Sequence, residues 1–298
     1  MNAVTLRVPA TTANMGPGFD TLGCALSLYN TITVSIEGKQ LTFTGVDEAY
    51  YNRDNLVVAA YDAVMKKLGL SAESGLHITI RADIPVSRGL GSSAALLCAG
   101  ATAANLLHGS SLTVEELLSV TTQLEGHPDN LAPAFFGGMT ASAMNVDVPM
   151  TVRYRVSPDY SFVAIIPDYP LSTAKARSVL PSEVSRSDAV FNISRALLLA
   201  HALEHREDEI LRSALSDRIH QPYRESLIPG YEEAKAAAFQ YGALGYCISG
   251  AGPTQLCVMK AENTGNLRPL TDAIHAFAPG WHVLALPIDS KGITVLNQ

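Results

Sequence analysis

The chain has 298 residues, 47% of them hydrophobic and 16% charged, so it is long enough for two domains with sizeable cores and shows no sign of sustained disorder. Its formal net charge of −7 argues against a nucleic-acid-binding surface, which would need clusters of basic residues to neutralise phosphates. The sequence contains no signal-peptide core near its start and no uninterrupted run of about 18 apolar residues, which favours a cytoplasmic protein without membrane contact.

All four cysteines lie in apolar segments, where a free cysteine behaves as a small hydrophobic residue. No two of them have the spacing of a C-x-x-C motif. This pattern favours reduced thiols in a reducing compartment over a disulfide framework. The four residues are Cys24, Cys98, Cys247 and Cys257.

The first half of the chain mixes strand and helix patterns. Alternating or β-branched residues predict strands at residues 4–8, 31–37, 40–44, 76–81 and 139–144. Helical spacing predicts helices at residues 56–68, 92–107 and 113–124. The last of these helices begins with Thr113 and Glu116 in a Thr-x-x-Glu pattern, which is typical of a capping box.

The pattern pauses around residues 147–157, and we place a domain boundary between residues 152 and 153. The second half predicts a strand at residues 161–166 and helices at 189–205, 207–215 and 231–241. From residue 244 to residue 286 the order is strand, glycine-rich turn, strand, helix and strand. Strands that bracket helices in this way favour an α+β sandwich.

A glycine-serine segment lies between a predicted strand and a predicted helix. Gly89 and Gly91 allow backbone angles and close approaches that other residues do not, and the start of the helix offers unpaired amides to an anion. The segment therefore predicts a phosphate-binding loop; the alternative is an ordinary loop with a serine N-cap. It is not a Walker loop, because no lysine follows the second glycine. Its residues are Pro85, Val86, Ser87, Arg88, Gly89, Leu90, Gly91, Ser92, Ser93, Ala94 and Ala95.

Two further glycine-rich segments stand at residues 9–23 and 249–254, and each alone could be a tight turn. Together with the Gly-Leu-Gly-Ser-Ser-Ala-Ala run, they closely resemble the three signature motifs of the GHMP kinases in order and spacing. The resemblance extends over nearly the whole chain. Within that superfamily, residues 125–138, 172–177 and 220–224 resemble the homoserine kinases.

The resemblance implies an α+β, two-domain GHMP kinase fold. Residues 1–152 would form an N-terminal, ATP-binding domain like ribosomal protein S5 domain 2, and residues 153–298 a ferredoxin-like C-terminal domain. It also implies an enzyme that uses ATP and Mg²⁺ to phosphorylate the side-chain hydroxyl of L-homoserine, giving O-phospho-L-homoserine for threonine biosynthesis. The two substrates would meet in the cleft between the domains, and the resemblance leaves room for a homodimer.

Individual roles follow by similarity. The loop at residues 85–95 would wrap the triphosphate, Ser93 and Glu125 would reach Mg²⁺, and Asn55 would lie near the adenine. Magnesium prefers hard oxygen ligands, which suits one hydroxyl and one carboxylate beside phosphate oxygens. Asp20 can accept from the substrate ammonium, and the two arginines can clamp its carboxylate. The matching homoserine-binding positions are Asn14, Asp20, His127, Asn130, Arg177 and Arg224.

Proton removal has two possible routes. Asp129 is the local carboxylate that could act as a base, as an aspartate does in mevalonate kinase relatives. Homoserine kinases are usually interpreted as lacking a dedicated base, and we favour a route in which Asn14 and Asn130 orient the hydroxyl and a phosphate oxygen takes the proton. In some homoserine kinases several more residues separate the metal-binding glutamate from the histidine; here only Gly126 lies between them.

Three rival hypotheses remain at this point. The His-x-x-Glu-His pattern of His201 and His205 fits a zinc peptidase motif, although a helix with two polar side chains explains it as well. A metabolite-sensing module could keep the fold without catalysis. A GHMP kinase for another small alcohol, such as mevalonate, is the nearest alternative, and Arg177 and Arg224 argue against it.

Overall fold

A computed structural model describes residues 2–71 and 75–297. The strands are β1 (Ala3–Ala13), β2 (Leu22–Ile36), β3 (Thr42–Thr44), β4 (Leu76–Ala82), β5 (Met139–Asn145), β6 (Val148–Tyr154), β7 (Tyr160–Ile166), β8 (Gly245–Ile248), β9 (Gln255–Lys260), β10 (His282–Leu286) and β11 (Thr294–Asn297). The helices are α1 (Leu56–Lys67), α2 (Ser92–Leu107), α3 (Val114–Glu125), α4 (Leu131–Phe136), α5 (Thr173–Ser178), α6 (Arg186–His205), α7 (Asp208–Ala214), α8 (Gln221–Arg224), α9 (Tyr231–Gln240) and α10 (Arg268–His275). The predicted α+β class is confirmed.

The first sheet runs in the order β11-β1-β2-β4-β3, and the β5–β6 hairpin joins it at the start of β2. Helices α1, α2 and α4 cover this sheet, and its apolar side chains form one continuous core with theirs. Helix α2 has the predicted bounds, and α3 begins with the predicted capping box of Thr113 and Glu116. The sheet and α2 hold the phosphate-binding loop between them.

The second sheet is antiparallel with the order β10-β7-β9-β8. Counted along the chain, its strands have the order 4-1-3-2, which is that of a ferredoxin-like domain, and the predicted strand, turn, strand, helix and strand are all present. Every residue of β7 is buried. The reason is that one face, with Phe162 and Ala164, joins the core of the first sheet, while the other, with Val163 and Ile165, packs under α9 and α10.

The sequence patterns underestimate the first two strands. β1 continues from Val8 to Ala13, and β2 begins at Leu22, because the first glycine-rich motif contains a strand end and a strand start as well as a turn. The pairing of β1 with β2 shifts register between Pro9 and Ala10 and then continues to the pair of Ala13 and Gly23. The first glycine-rich motif therefore connects two neighbouring strands, β1 and β2, in the interior of the sheet.

The boundary between residues 152 and 153 falls inside β6, which pairs with β5 of the first sheet. The last strand, β11, also returns to the first sheet and pairs with β1. Hydrogen bonding therefore groups β6 and β11 with the first sheet. Within residues 2–71 and 75–297, no helix combines the length and the apolar character needed to cross a membrane. All four cysteines are buried free thiols.

Candidate active site

A cavity of about 490 Å³ opens where the three glycine-rich segments meet. It gathers sixteen of the predicted site residues: Asn14, Asp20, Asn55, Val86, Ser87, Arg88, Gly89, Gly91, Ser92, Ser93, Glu125, His127, Asp129, Asn130, Arg177 and Arg224. Four predicted nucleotide-binding residues do not line it. Leu90, Ala94 and Ala95 instead pack into the hydrophobic core. Pro85 is partly buried and follows the end of β4 by three residues.

The phosphate-binding loop leaves no room for a side chain at Gly91. This residue is the N-cap of α2 with φ +68°, and a Cβ atom there would lie 1.9 Å from Oγ1 of Thr11. The first turn of α2, with Ser92 and Ser93, faces the cavity. Because the first amides of a helix have no partner within it, this end of α2 suits an anion such as a phosphate chain.

Hydrogen bonds join the three segments. The Ser249 hydroxyl donates to the carbonyl of Gly89 over 2.6 Å and lies 2.9 Å from Oγ1 of Thr12. Asn14 donates from Nδ2 to the Gly250 carbonyl over 2.7 Å, and its Oδ1 accepts from the amide of Asp20 over 2.9 Å. Asn14 therefore uses both arms of its amide to hold the loops together, whereas its sequence-based role was to orient the substrate hydroxyl.

Two predicted nucleotide-binding residues likewise use their side chains for hydrogen bonds within the protein. Arg88 donates to the carbonyls of Pro167 over 3.0 Å and Asp168 over 2.7 Å, which ties the loop to the end of β7. Asn55 caps α1, accepting from the amide of Val57 and donating to a carbonyl of the preceding turn. Both residues line the cavity, but these polar groups are engaged within the protein.

Ser93, in the first turn of α2, and Glu125, at the end of α3, form an oxygen pair. The Ser93 hydroxyl donates to Oε1 of Glu125 over 2.6 Å. Glu125 ends α3, and Gly126 follows at φ +95°, so that the chain turns sharply and both Glu125 and His127 line the cavity despite the short spacing. A hydroxyl and a carboxylate fit Mg²⁺, with phosphate oxygens and water as the other ligands.

No group of three or more His, Cys, Asp or Glu side chains within residues 2–71 and 75–297 could hold a metal ion by itself. In the zinc peptidase hypothesis the two histidines would share a metal ion. Instead, the rings of His201 and His205 stack with centroids 4.3 Å apart, and His205 bonds through Nδ1 to the His201 carbonyl. The carboxylate of Glu116, which is also near the start of α3, accepts a hydrogen bond from the amide of Thr113 in the capping box and is engaged there.

Charged groups of both signs also line the cavity. Asp20 and Arg177 form a bidentate ion pair with N–O distances of 2.7 and 3.0 Å. Arg224 is only 1% exposed, and burial, together with the charge of Arg177, lowers its pKa to about 10. Two neighbouring guanidinium groups, one of them buried, favour the binding of an anion between them.

Arg224 is held by groups that sequence reasoning did not assign. It donates from its Nε to the Ala176 carbonyl and from an Nη to the Gly250 carbonyl and Nδ1 of His220. His220 in turn bonds through Nε2 to the Gly16 carbonyl over 2.8 Å. Its ring stacks on Phe19, over which the guanidinium of Arg224 also lies. Phe19 and His220 both lie in segments that carry the family resemblance, and this position is the signal that could have identified them.

His127, Asp129 and Asn130 form the third part of the site. Nδ1 of His127 lies 2.8 Å from Oδ1 of Asp129, and this hydrogen bond raises the pKa of His127 against the opposing effect of burial. Asp129 is only 2% exposed. Oδ1 of Asn130 accepts from the hydroxyl of Thr11 over 2.8 Å, so a threonine of the first motif fixes the amide of Asn130.

Two protein-family models match the chain, the GHMP kinases N terminal domain over residues 55–138 and the GHMP kinases C terminal model over residues 194–267. The homoserine kinase of Clostridium beijerinckii is 40% identical over 295 residues, which cover 99% of both sequences. The crystal structure of homoserine kinase from Cytophaga hutchinsonii has a TM-score of 0.88 at 28% identity and covers 99% of this chain and 98% of that chain. Mevalonate kinase of L. major, solved with R-mevalonate, has a TM-score of 0.73 at 15% identity over 95% of both chains and shares the fold.

The substitution Asp129→Asn is expected to lower the pKa of His127, because the imidazolium loses its carboxylate partner. His127 would then lose its proton at a lower pH than in the unmodified protein. The measurement is an NMR titration of the histidine ring protons. Glu116→Gln serves as the control, since Glu116 is engaged in the capping box of α3. An unchanged His127 titration in Asp129→Asn would contradict the assignment.

Proposed function

Since the chain belongs to the homoserine kinases of the GHMP kinase family, we propose that it transfers the γ-phosphoryl group of ATP to the side-chain hydroxyl of L-homoserine. The products are ADP and O-phospho-L-homoserine, an intermediate of threonine biosynthesis. The observation that carries the proposal is one cavity lined both by the glycine-serine loop and by Asp20, Arg177 and Arg224.

The amino acid would bind by replacing an ion pair of the protein. Its ammonium group would take the place of Arg177 beside Asp20, and its carboxylate would lie between Arg177 and Arg224. A zwitterion satisfies all three side chains at once. A hydroxy acid without an ammonium group, such as mevalonate, would compete with Asp20 for Arg177 and supply nothing to the freed carboxylate.

Phosphoryl transfer would depend on positioning. The loop at residues 85–95 and the first turn of α2 would hold the triphosphate, and Asn130, fixed by Thr11, would orient the homoserine hydroxyl. The hydroxyl oxygen bonds to the γ-phosphorus as the bond to the ADP oxygen breaks, and the hydroxyl proton passes to an oxygen of the transferred phosphoryl group. Asp129 is not needed as the base, since its carboxylate is buried and bonded to His127.

Ser93 and Glu125 would hold Mg²⁺, and their 2.6 Å contact supports this role. When bound, the ion supplies positive charge that offsets the charge of the phosphates. The chain would form two domains. The N-terminal domain would include β6 and β11, and the ferredoxin-like domain would lie between these two strands in the sequence. A cytoplasmic location and a homodimer stay predictions.

The proposed activity predicts selective ADP release. In a coupled assay with ATP and Mg²⁺, turnover is expected with L-homoserine and little or none with mevalonate, galactose or shikimate, because only homoserine carries both charged groups that the site complements. Nucleotide binding without turnover of homoserine would contradict an enzymatic role and support a metabolite sensor. Faster turnover of mevalonate than of homoserine would contradict the substrate assignment.

Asp129→Asn is expected to keep turnover within about tenfold of the unmodified enzyme, since no general base is required. Steady-state kinetics would measure kcat, with the KM for homoserine as the test of intact substrate binding. A loss of kcat by several orders of magnitude at unchanged KM would instead assign the base to Asp129.

Glu125→Gln is expected to weaken divalent metal binding in the nucleotide complex by about tenfold or more, because an anionic oxygen ligand is lost. Titration of Mn²⁺ by electron paramagnetic resonance, with ATP present, measures this affinity directly. Glu116→Gln is the matched control, since Glu116 acts in the cap of α3. Equal Mn²⁺ affinity in Glu125→Gln and the unmodified protein would remove Glu125 from the metal site.

A further inference from the structure

Asn30 is a buried polar residue at the base of the cavity. It lies in β2 opposite Ala82 of β4, and its exposed fraction is 0%. Its Oδ1 accepts from the backbone amide of Ile84 over 2.9 Å. Because a backbone N–H can only donate, the oxygen must face Ile84, and this fixes the orientation of the whole amide.

The other arm of the amide, Nδ2, has no hydrogen-bond acceptor within residues 2–71 and 75–297. A buried donor without an acceptor costs free energy, so such groups are rare in folded proteins and call for a physical explanation. Asn14 and Asn55, which line the same cavity, use both arms of their amides within the protein. Asn30 therefore differs from both in offering a free donor.

The residues that share this cavity with Asn30 include a set of apolar side chains suited to a flat ring. They come from β4, from the segment after β3 and from helices α1 and α2. The members are Val46, Leu56, Ile80, Ala82 and Leu96. An apolar site with one fixed donor matches a heteroaromatic ring that carries an acceptor nitrogen, since the ring fills the apolar space and the nitrogen satisfies the donor.

We propose that Asn30 reads the purine of the nucleotide, donating a hydrogen bond from Nδ2 to an unprotonated ring nitrogen of the adenine. The inference rests on the proposed function in that the nucleotide must bind in this cavity. It assigns base recognition to Asn30 rather than to Asn55, whose amide caps α1. Asn30 is then a specificity-determining residue for the phosphoryl donor and has no part in the chemical step.

The test compares ATP with analogues in which one ring nitrogen is replaced by carbon. Titration calorimetry without homoserine measures the affinity of the unmodified protein for ATP and for its 1-deaza, 3-deaza and 7-deaza analogues. One analogue is expected to bind about tenfold more weakly than ATP, which corresponds to one lost hydrogen bond. Equal binding of all three analogues and ATP would overturn the proposal, since a water would then satisfy Nδ2.

The variant Asn30→Asp keeps an oxygen for the Ile84 amide and removes the Nδ2 donor. It is expected to bind ATP about tenfold more weakly and to lose the penalty for that one analogue. Asn30→Leu, which removes both polar arms, gives the same readout should the aspartate take up a proton and donate. A penalty that persists in the folded variants would overturn the assignment.

Asn105→Asp is the matched control. Asn105 is a buried residue of α2 whose Oδ1 also accepts from a backbone amide, that of Leu112, and it does not line the cavity. Its substitution is expected to leave nucleotide affinity unchanged, and an equal loss of affinity there would show that the effect at Asn30 is merely structural. Failure of the unmodified protein to bind ATP at all would contradict the proposed function instead, so the two failures are distinguishable.

Discussion

The close approach of the phosphate-binding loop to the end of β1 is the contact on which the rest of the site depends. Gly91 leaves no space for a Cβ atom against Thr11, and the same hydroxyl of Thr11 bonds to Asn130. One residue of β1 thus contacts the glycine-serine loop and fixes the side-chain amide of Asn130. The next residue, Thr12, and then Asn14 connect to Ser249 and Gly250 of the third segment. The segments that line the cavity are therefore positioned from a single strand end.

The charged part of the cavity is stabilised by an ion pair between two segments that are distant in the sequence. Asp20 lies in the turn between β1 and β2 of the first sheet, whereas Arg177 comes from α5, which follows β7 of the second sheet. Their ion pair therefore links the two halves of the molecule across the cavity. Arg224 remains beside it as a buried cation held by carbonyls and a histidine.

Much of the fold was predictable because local rules agree with the tertiary structure. The bounds of α2 and the capping box of α3 follow from composition and from the positions of glycine, threonine and glutamate. The ends of β1 and β2 were not predictable in this way, because Pro9 and Gly23, which stand among the paired residues Pro9 to Ala13 and Gly23 to Leu26, favour turns locally. Pairing between the two strands overrides that preference.

The family resemblance identified the residues of the site more readily than their contacts. Asn14, Asn55 and Arg88 all line the cavity, yet their side chains bond to protein groups as far away as Gly250 and Asp168. A side-chain amide or guanidinium has several possible hydrogen-bond partners. Tertiary packing decides which of them it bonds to, and a single sequence does not contain that information. The free donor of Asn30 was missed for the same reason, since an isolated asparagine in a strand carries no signal.

The return of β11 to the first sheet has a consequence for the order of assembly. β1 pairs with β2 on one side and with β11 on the other, and it carries Thr11 and Thr12 at its far end. During synthesis, one edge of β1 therefore stays without a partner until residues 294–297 have left the ribosome. β1 precedes every other strand of the described chain, and the last of those strands covers its second edge. A nascent chain that lacks β11 has an open sheet edge next to its core, where pairing with another chain is the competing outcome.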